Sequence, residues 1–332
     1  MRKRFPLSYY LQGIRSGNRL ILSRAITLIE SSLQKDQELA QALISACMPY
    51  TGKAYRIGIT GVPGVGKSTF IDTFGSFLLQ KSYKLAVLAI DPSSPQTKGS
   101  ILGDKTRMSQ LSQHPLAYVR PSPTVGSLGG VARKTRESIM LCEAAGFDII
   151  LIETVGVGQS ELSVHAMVDF FLLMMLPHAG DELQGIKKGI VEMADAIIIN
   201  KSDGEYQESA THARLVFSQA LRLFSAKHSG WPAKVLNCSA SEGKGIEEIW
   251  KMLQAYQIHA QENGFWESHR KEQAGFWMEE TIRDLLEFHF YKDEQVKKAW
   301  PILRKQVLNR QISPIQAAKD LLNIWIARDS GR

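Results

Sequence analysis

Cysteine and long apolar runs are scarce in this 332-residue sequence. The three cysteines, Cys47, Cys142 and Cys238, are far apart and share no metal-like or redox spacing, which is typical of a protein from a reducing compartment. No apolar stretch is long enough to span a bilayer, and the densest, residues 169–177, has the length of a strand. The first residues also lack the apolar core of a signal peptide. We therefore expect a cytoplasmic protein with no membrane partner.

The chain has no long segment of acidic or of basic residues alone, although its net charge is positive. The formal net charge is +7 and the pI is near 9.2. Lysine and arginine are mixed with acidic residues, and the one compact basic cluster, Arg2 to Arg4, is a terminal tail. No recognition module or aromatic-basic sheet motif is evident, so we expect no nucleic-acid partner. The excess charge instead favours anionic ligands or an acidic partner protein.

The middle of the chain alternates short apolar runs with helical patterns. Several of these runs are continuously apolar, which is typical of a parallel sheet covered on both faces. Strands that alternate with helices predict an α/β domain with a doubly wound, mostly parallel sheet. The predicted strands are Arg56 to Thr60, Leu85 to Ile90, Ile149 to Glu153, Phe170 to Leu176, Ala196 to Asn200 and Val235 to Cys238.

Helical patterns without strands lie on both sides of this core. We expect a helical N-terminal segment over residues 1–52, the core over 53–245 and a C-terminal helical extension over 246–332. The extension carries five of the six tryptophans. Large aromatic residues on such helices either pack back onto the sheet or form an oligomer interface, and we expect both core packing and dimerisation here. The helices predicted there are Ile246 to Tyr256, Phe265 to Phe290, Glu294 to Leu308 and Ser313 to Ala327.

A glycine-rich loop follows the first predicted strand and precedes a helix. It matches the full phosphate-binding loop pattern, in which backbone N–H groups and a helix N-terminus hold phosphate oxygens. We expect Lys67 to reach the β- and γ-phosphates and the Ser68 hydroxyl to ligate magnesium, with Thr69 in the same nucleotide site. A chance glycine-rich turn is the alternative, and the strand, helix, lysine and serine together argue against it. The loop is Gly61, Val62, Pro63, Gly64, Val65, Gly66, Lys67 and Ser68.

Three acidic residues are candidates for the rest of the magnesium shell. Asp91 and Glu153 each lie at the end of a predicted strand, where ligands of open α/β sheets bind. Asp104 lies in a glycine-rich stretch, and for this residue a solvated loop acid is an even alternative. Gln159, in the glycine turn after Glu153, is a candidate for orienting the attacking water, and a plain turn residue is at least as good an interpretation.

Base recognition is predicted from Asn200, Lys201 and Asp203, which follow the apolar strand at 196–199. An aspartate carboxylate there accepts hydrogen bonds from the N1–H and 2-amino groups of guanine, and adenine offers neither donor. Asn200 is expected to support the pocket, and the Lys201 stem to lie along the base. Taken with the motif order, this predicts GTP rather than ATP. The segment expected to offer a backbone N–H to the guanine oxygen is Ser239, Ala240 and Ser241.

With these residues placed, the sequence resembles the methylmalonyl-CoA mutase-associated GTPases (MeaB/ArgK type), relatives of the nickel-insertion GTPases. The match covers nearly the whole chain, and its most specific parts lie outside the general GTPase motifs. They are residues 91–95 (DPSSP), 99–108 (GSILGDKTRM), 153–161 (ETVGVGQSE) and 181–189 (DELQGIKKG).

The resemblance implies a homodimeric GTPase that binds methylmalonyl-CoA mutase or a related cobalamin-dependent mutase. It also implies that GTP hydrolysis gates adenosylcobalamin loading and removal of damaged cofactor, with a cobalamin adenosyltransferase as a further candidate partner. Residues 180–188 would be a mobile switch that senses the partner. Lys187 or Lys188 would stabilise transition-state charge, with a solvated basic loop as an equal alternative. The implied phosphate and magnesium shell is Lys67, Ser68, Asp91, Asp104 and Glu153.

The sequence departs from the family pattern at one place, before the predicted switch. Residues 176–180 read Leu-Pro-His-Ala-Gly where the family usually has a glycine-rich run. We expect this segment to stiffen the approach to the switch and to leave the nucleotide chemistry unaffected.

Three rival functions are less well supported by the sequence. A nickel-inserting GTPase would need grouped cysteine and histidine ligands, but the eight histidines are scattered. A nucleic-acid-associated GTPase would explain the basic pI, and a helical scaffold that senses nucleotide without being an enzyme would explain the tryptophan-rich extension.

Overall fold

The computed structural model describes residues 4–31, 33–90, 108–120, 128–154, 160–180, 188–224 and 227–327. Contacts divide the chain into two compact units, Met1–Gln273 and Ala274–Arg332. The three segments expected from the sequence were defined by local sequence pattern, whereas these two units are defined by contacts in the structure. The expected boundaries at residues 52 and 245 therefore stay predictions.

One parallel sheet forms the centre of the first unit. Its strands are β1 (Tyr55–Gly61), β2 (Leu85–Ile90), β3 (Ala117–Arg120), β4 (Ile149–Thr154), β5 (Phe170–Met175), β6 (Ala196–Ile199) and β7 (Lys234–Asn237). Their order is β3-β2-β4-β1-β5-β6-β7, and every neighbouring pair is parallel. The predicted doubly wound α/β fold is therefore confirmed, with β3 as an edge strand that was not predicted from the sequence.

Helices connect and surround these strands. In the first unit they are α1 (Leu7–Arg15), α2 (Arg19–Glu30), α3 (Gln34–Cys47), α4 (Lys67–Gln80), α5 (Ser109–Gln113), α6 (Leu128–Ala144), α7 (Ser160–His165), α8 (Lys188–Met193), α9 (Gln207–Leu221) and α10 (Ile246–Glu262). The helix α11 (Phe265–Lys292) begins in the first unit, and the second unit continues with α12 (Glu294–Leu308) and α13 (Pro314–Ala327). None of the helices in the described ranges has both the length and the apolar character needed to cross a membrane.

Both faces of the sheet are buried. On one face, Ile57 and Ile59 of β1 belong to the same buried cluster as Phe70 and Phe74 of α4. Gly58 lies between them in sequence and faces the other way, where an added Cβ would come within 2.9 Å of the Val164 side chain of α7. All seven residues of β1 are buried, including the polar Arg56 and Thr60, as expected for a central parallel strand that is covered on both faces.

Two ion pairs fasten helices to the amino-terminal edge of the sheet. Arg56 of β1 donates to Glu143 of α6 over 2.9 Å, and both side chains are buried. Arg270 of α11 makes a two-pronged contact with Asp169, at 2.8 Å from Nε and 2.6 Å from Nη2. This fork geometry holds the first part of α11 against the start of β5.

The carboxyl-terminal edge of the sheet gathers the predicted motifs. Because the strands are parallel, the loops after β1, β4, β6 and β7 all leave from this edge. The last residues of these four strands are Gly61, Thr154, Ile199 and Asn237. The phosphate loop, the predicted metal carboxylate and both base segments are thus brought to one place by topology alone.

Candidate active site

The phosphate loop joins the end of β1 to the start of α4. Gly64 and Gly66 have φ angles of +78° and +91°, a left-handed backbone that side chains with a Cβ rarely adopt. A Cβ at Gly66 would also meet the Asn200 amide nitrogen at 2.9 Å. The glycines predicted from the motif are therefore required by the conformation of the loop and by its contact with the base segment.

Lys67 opens α4 and is folded back onto its own loop. Its Nζ donates to the Gly61 carbonyl over 2.8 Å, and the residue is buried. Burial lowers the pKa of this ammonium, and the charges of Glu153 and Glu161 partly oppose that effect. The cation is therefore held ready where phosphate oxygens are expected, in a place that favours an anionic ligand.

Glu161 is a residue of this site to which the motifs assign no function. It lies on α7, is only 1% exposed, and acts electrostatically on Lys67. The sequence did contain a signal, since Glu161 closes the segment 153–161 that carries part of the family resemblance. Its effect on Lys67 depends on how α7 packs against the sheet, and the sequence of segment 153–161 does not reveal this packing.

Ser68 and Glu153 meet behind the phosphate loop. The Ser68 hydroxyl donates to Glu153 Oε1 over 3.2 Å, and Glu153 is buried at the end of β4. Next to it, the Thr154 hydroxyl donates to the Thr60 hydroxyl over 2.9 Å, which ties the ends of β4 and β1 together. A hydroxyl and a carboxylate are hard oxygen donors of the kind Mg²⁺ prefers, so this pair fits the ion.

Several predicted site residues lie outside the described part of the chain. These are Asp91, Asp104, Gln159 and residues 181–187 of the predicted switch, which includes Lys187. Asp91 follows Ile90, the last residue of β2, which is in register with Thr154. Lys188 is the first residue of α8, and only its backbone is described. Within the described ranges, no group of three or more histidine, cysteine or acidic side chains is placed to hold a metal.

Asn200 joins the phosphate loop to the second base segment. Its side-chain amide donates to the Val65 carbonyl over 2.7 Å and accepts from the Ala240 backbone N–H over 3.1 Å. The residue is 2% exposed. A further contact comes from α4, where the Thr73 hydroxyl donates to the Ala240 carbonyl over 2.8 Å. Asn200 therefore links the phosphate loop to the segment after β7, because its amide nitrogen and its amide oxygen each make a hydrogen bond.

Asp203 has a carboxylate oxygen without a partner in the described part of the chain. Its Oδ1 is buried and makes no hydrogen bond to any described residue. An unpaired buried acceptor is costly, so the position suits a ligand that brings its own donors. Guanine offers two, at N1 and at the 2-amino group. Lys201, two residues earlier, has a φ of +58°, a left-handed backbone conformation that is uncommon for a residue with a side chain.

The segment after β7 is closed by its own hydrogen bonds. Ser239 and Lys244 exchange backbone hydrogen bonds of 3.0 and 3.1 Å, and the Ala240 N–H is taken by Asn200. The Ser239 and Ser241 hydroxyl oxygens are 3.2 Å apart. Of the three backbone N–H groups expected to serve guanine, that of Ser241 is therefore the one left for a base within the described residues.

Fold and site together define a P-loop GTPase. The sequence profile described as methylmalonyl Co-A mutase-associated GTPase MeaB matches residues 22–295. This chain belongs to that family, which confirms both the resemblance and the GTPase activity predicted from the motifs.

Known relatives extend over nearly the whole chain. A Mycobacterium tuberculosis protein named "Probable GTPase" is 47% identical over 312 residues, covering 94% of this chain and 93% of its own. The mouse methylmalonic aciduria type A homolog, a mitochondrial protein, is 44% identical over 326 residues, covering 95% and 79%. A crystal structure titled LAO/AO transport system kinase has a TM-score of 0.76 at 35% identity and covers 96% of both chains.

Proposed function

We propose that this GTPase is a chaperone of methylmalonyl-CoA mutase or a related cobalamin-dependent acyl-CoA mutase. In this proposal, GTP hydrolysis gates the loading, protection and reactivation of adenosylcobalamin in the mutase. The support is the family profile, whose description names the mutase and which extends beyond the nucleotide motifs to residue 295. A mouse relative that is named for methylmalonic aciduria points in the same direction.

The single observation that carries the nucleotide part of the proposal is the buried Oδ1 of Asp203, which has no hydrogen-bond partner among the residues that the structure describes. An adenine in this place would leave the carboxylate without a donor, so ATP is a poor substrate. A chain at 35% identity carries the word kinase in its title. We nevertheless expect water as the acceptor here, because no site for another phosphoryl acceptor is evident in the sequence.

Hydrolysis of GTP to GDP and phosphate requires positioning and charge neutralisation more than covalent catalysis. Lys67 is proposed to turn from the Gly61 carbonyl to the β- and γ-phosphates, and the loop N–H groups to hold the same oxygens. Ser68 and Glu153 would hold Mg²⁺, which when bound supplies charge neutralisation at the phosphates. Asp91 and Asp104 remain candidates for the same shell, and Lys188 for stabilising the transition state.

The mutase is expected to complete the site. No arginine finger is evident in the sequence, so we expect slow turnover by the isolated protein and faster turnover when the mutase docks near residues 180–188. A homodimer, a cobalamin adenosyltransferase as a further partner and a cytoplasmic location complete the proposal.

The test is a GTPase assay with and without purified methylmalonyl-CoA mutase, at constant Mg²⁺ and with ATP alongside. We expect slow, GTP-selective turnover that rises when the mutase is added. Turnover of ~10 per second by the isolated protein, a typical rate for a complete enzyme, would contradict the gating. If turnover is selective for GTP but does not change when the mutase is added, the assignment as a GTPase stands and the partner is a protein other than this mutase.

A further inference from the structure

A large cavity lies between the N-terminal helices, the carboxyl-terminal part of β2 and α6. Its volume is about 960 Å³, within the usual range for small-molecule sites. Apolar walls come from Leu28 of α2, Leu88 of β2 and Val131 of α6. None of the described residues that line it belongs to the phosphate loop or to either base segment. We call this space the N-terminal cavity.

Positive charge exceeds negative charge on the described lining of the N-terminal cavity. Arg4 pairs with Asp36, and Arg120 pairs with Glu30. Two further cations, Arg24 and Lys134, line the same space. Both acids of the described lining are therefore already paired, and this described lining holds two more cations than acids.

Arg24 and Lys134 have neutral hydrogen-bond partners. The Lys134 ammonium donates to the Glu30 carbonyl oxygen over 2.8 Å, and an Arg24 guanidinium nitrogen donates to the Tyr9 hydroxyl over 2.6 Å. Neither cation has a carboxylate within 4.0 Å in the described ranges. Both keep donors available, since an ammonium has three N–H bonds and a guanidinium five.

Two charged groups of the lining, Lys134 and Glu30, are partly removed from water. Burial lowers the pKa of Lys134 and raises the pKa of Glu30, although each feels opposite charge nearby. Arg120 keeps one buried donor, Nε, with no acceptor among the described residues. Lys134 and the Arg120 Nε donor therefore attract an anion more strongly than they would in open water.

We propose that the N-terminal cavity is a second ligand site, which takes a small organic anion with a carboxylate or phosphate head and an apolar body. Lys134 and the Arg120 Nε donor, both of which lie beside Glu30, bind the head, and the exposed Arg24 adds positive charge at the rim. Leu28, Leu88 and Val131 contact the body. The site adjoins the catalytic edge through the sheet, because Ala89, which also lines the cavity, is in register with Glu153. The proposal does not depend on the identity of the mutase client.

The experiment is a calorimetric titration of the full-length protein, saturated with GDP and Mg²⁺ so that the phosphate loop is occupied. Phenyl phosphate and benzoate are the anionic probes, and benzamide and benzylamine are their neutral and cationic counterparts. We expect at least one anion to bind with a Kd below about 1 mM, a realistic value for so few atoms. The anion that binds better identifies the preferred head group.

Two variants locate the binding. Lys134→Met is expected to weaken the anion at least ~10-fold, because it removes a charge-assisted contact. Arg24→Gln is expected to weaken it at least ~3-fold, because it removes one positive charge from the rim of the cavity. Lys271→Met is the matched control, since Lys271 is an exposed lysine of α11 that does not line the cavity. GDP affinity reports folding, and if Lys134→Met fails to bind GDP, then Arg24→Gln decides the result.

Three outcomes would overturn the proposal. One is unchanged anion affinity in a folded Lys134→Met or Arg24→Gln variant, which would place the anion elsewhere. Another is equal binding of benzamide or benzylamine, which would show that the cations do not select the ligand. The third is no binding of either anion up to about 10 mM, well above the Kd expected for such a fragment.

Discussion

At residue 203, replacing a carboxylate oxygen with an amide nitrogen should change the base that the site accepts. Xanthine carries a carbonyl where guanine carries its 2-amino group, and asparagine can donate to that carbonyl while still accepting from N1–H. We expect Asp203→Asn to shift the ratio of kcat/KM for GTP over XTP by at least ~100-fold toward XTP. Steady-state assays with both nucleotides measure this ratio.

The control for this change is Glu205→Gln, which neutralises an exposed acid two residues away in the same loop. It should leave the ratio unaltered, because its side chain is not the buried acceptor. A GTP/XTP ratio that stays constant in Asp203→Asn would remove Asp203 from base recognition.

A second prediction at the residue scale concerns Lys67. Its ammonium is buried against the loop carbonyls, and we expect it to meet charge that develops on the phosphates. Lys67→Met should lower kcat at least ~100-fold while the protein still folds, as judged by circular dichroism and thermal unfolding. Lys81→Met is the matched control, since Lys81 is an exposed lysine just beyond the other end of α4. Wild-type turnover in Lys67→Met would contradict the site.

Individual residues show what a motif can and cannot predict. Lys67, Ser68 and Asp203 were predicted because backbone geometry and donor pattern restrict which residue types work there. The contact between Ser68 and Glu153 joins residues far apart in sequence, and topology brings them together. The influence of Glu161 on Lys67 was not predicted, because an acidic residue on a short helix has the same local pattern whether it faces solvent or the site.

Elements were predicted best where apolar runs are long. The strands β1, β2 and β4 to β6 are buried along their whole length. Of these, β2, β5 and β6 are continuously apolar, and β4 is apolar over its first four residues. The edge strand β3 has only four residues, Ala-Tyr-Val-Arg, and the last two are half-buried. A run so short and mixed has no clear period, so only its pairing with β2 makes it a strand.

One element-scale prediction follows from Asn200, which links the end of β6 to two other loops. Asn200→Ala would leave the Val65 carbonyl and the Ala240 N–H without their partners in a buried place. We expect this to lower the free energy of unfolding by about 3 kcal/mol, from the cost of unsatisfied buried groups. Urea unfolding without nucleotide measures the change.

The matched control for that prediction is Asn323→Ala, at an exposed position of α13. It should change the stability by less than about 0.5 kcal/mol, since surface substitutions rarely do more. If Asn200→Ala unfolds at the same urea concentration as the wild type, the amide bridge does not hold the base segments together.

At the scale of the whole molecule, the second unit presents an apolar stripe. On α11, Met278, Ile282, Leu285 and Leu286 are 42–61% exposed and recur at the spacing of one helix face. Within the second unit, aromatic side chains of α11 and α13 contact each other, and the ring centroids of Phe290 and Trp325 are 5.8 Å apart. Exposed apolar patches of this kind mark interaction sites, which supports the proposed dimer. The helices of this unit were predicted from the sequence. The sequence pattern of one chain does not reveal which surface of these helices contacts a second copy.

The last prediction tests whether this stripe joins two copies of the chain. Leu286→Lys places a charge within the stripe, where burial against a second copy would desolvate it, so we expect the dimer to dissociate into monomers. Light scattering after size-exclusion chromatography measures the mass, and GDP binding should be retained because the nucleotide site lies in the other unit. Glu287→Lys adds a lysine on the opposite side of the same helix and should leave the mass unchanged. If Leu286→Lys has the same mass as the wild type, the stripe is not the dimer interface, and a monomeric wild type would contradict the dimer itself.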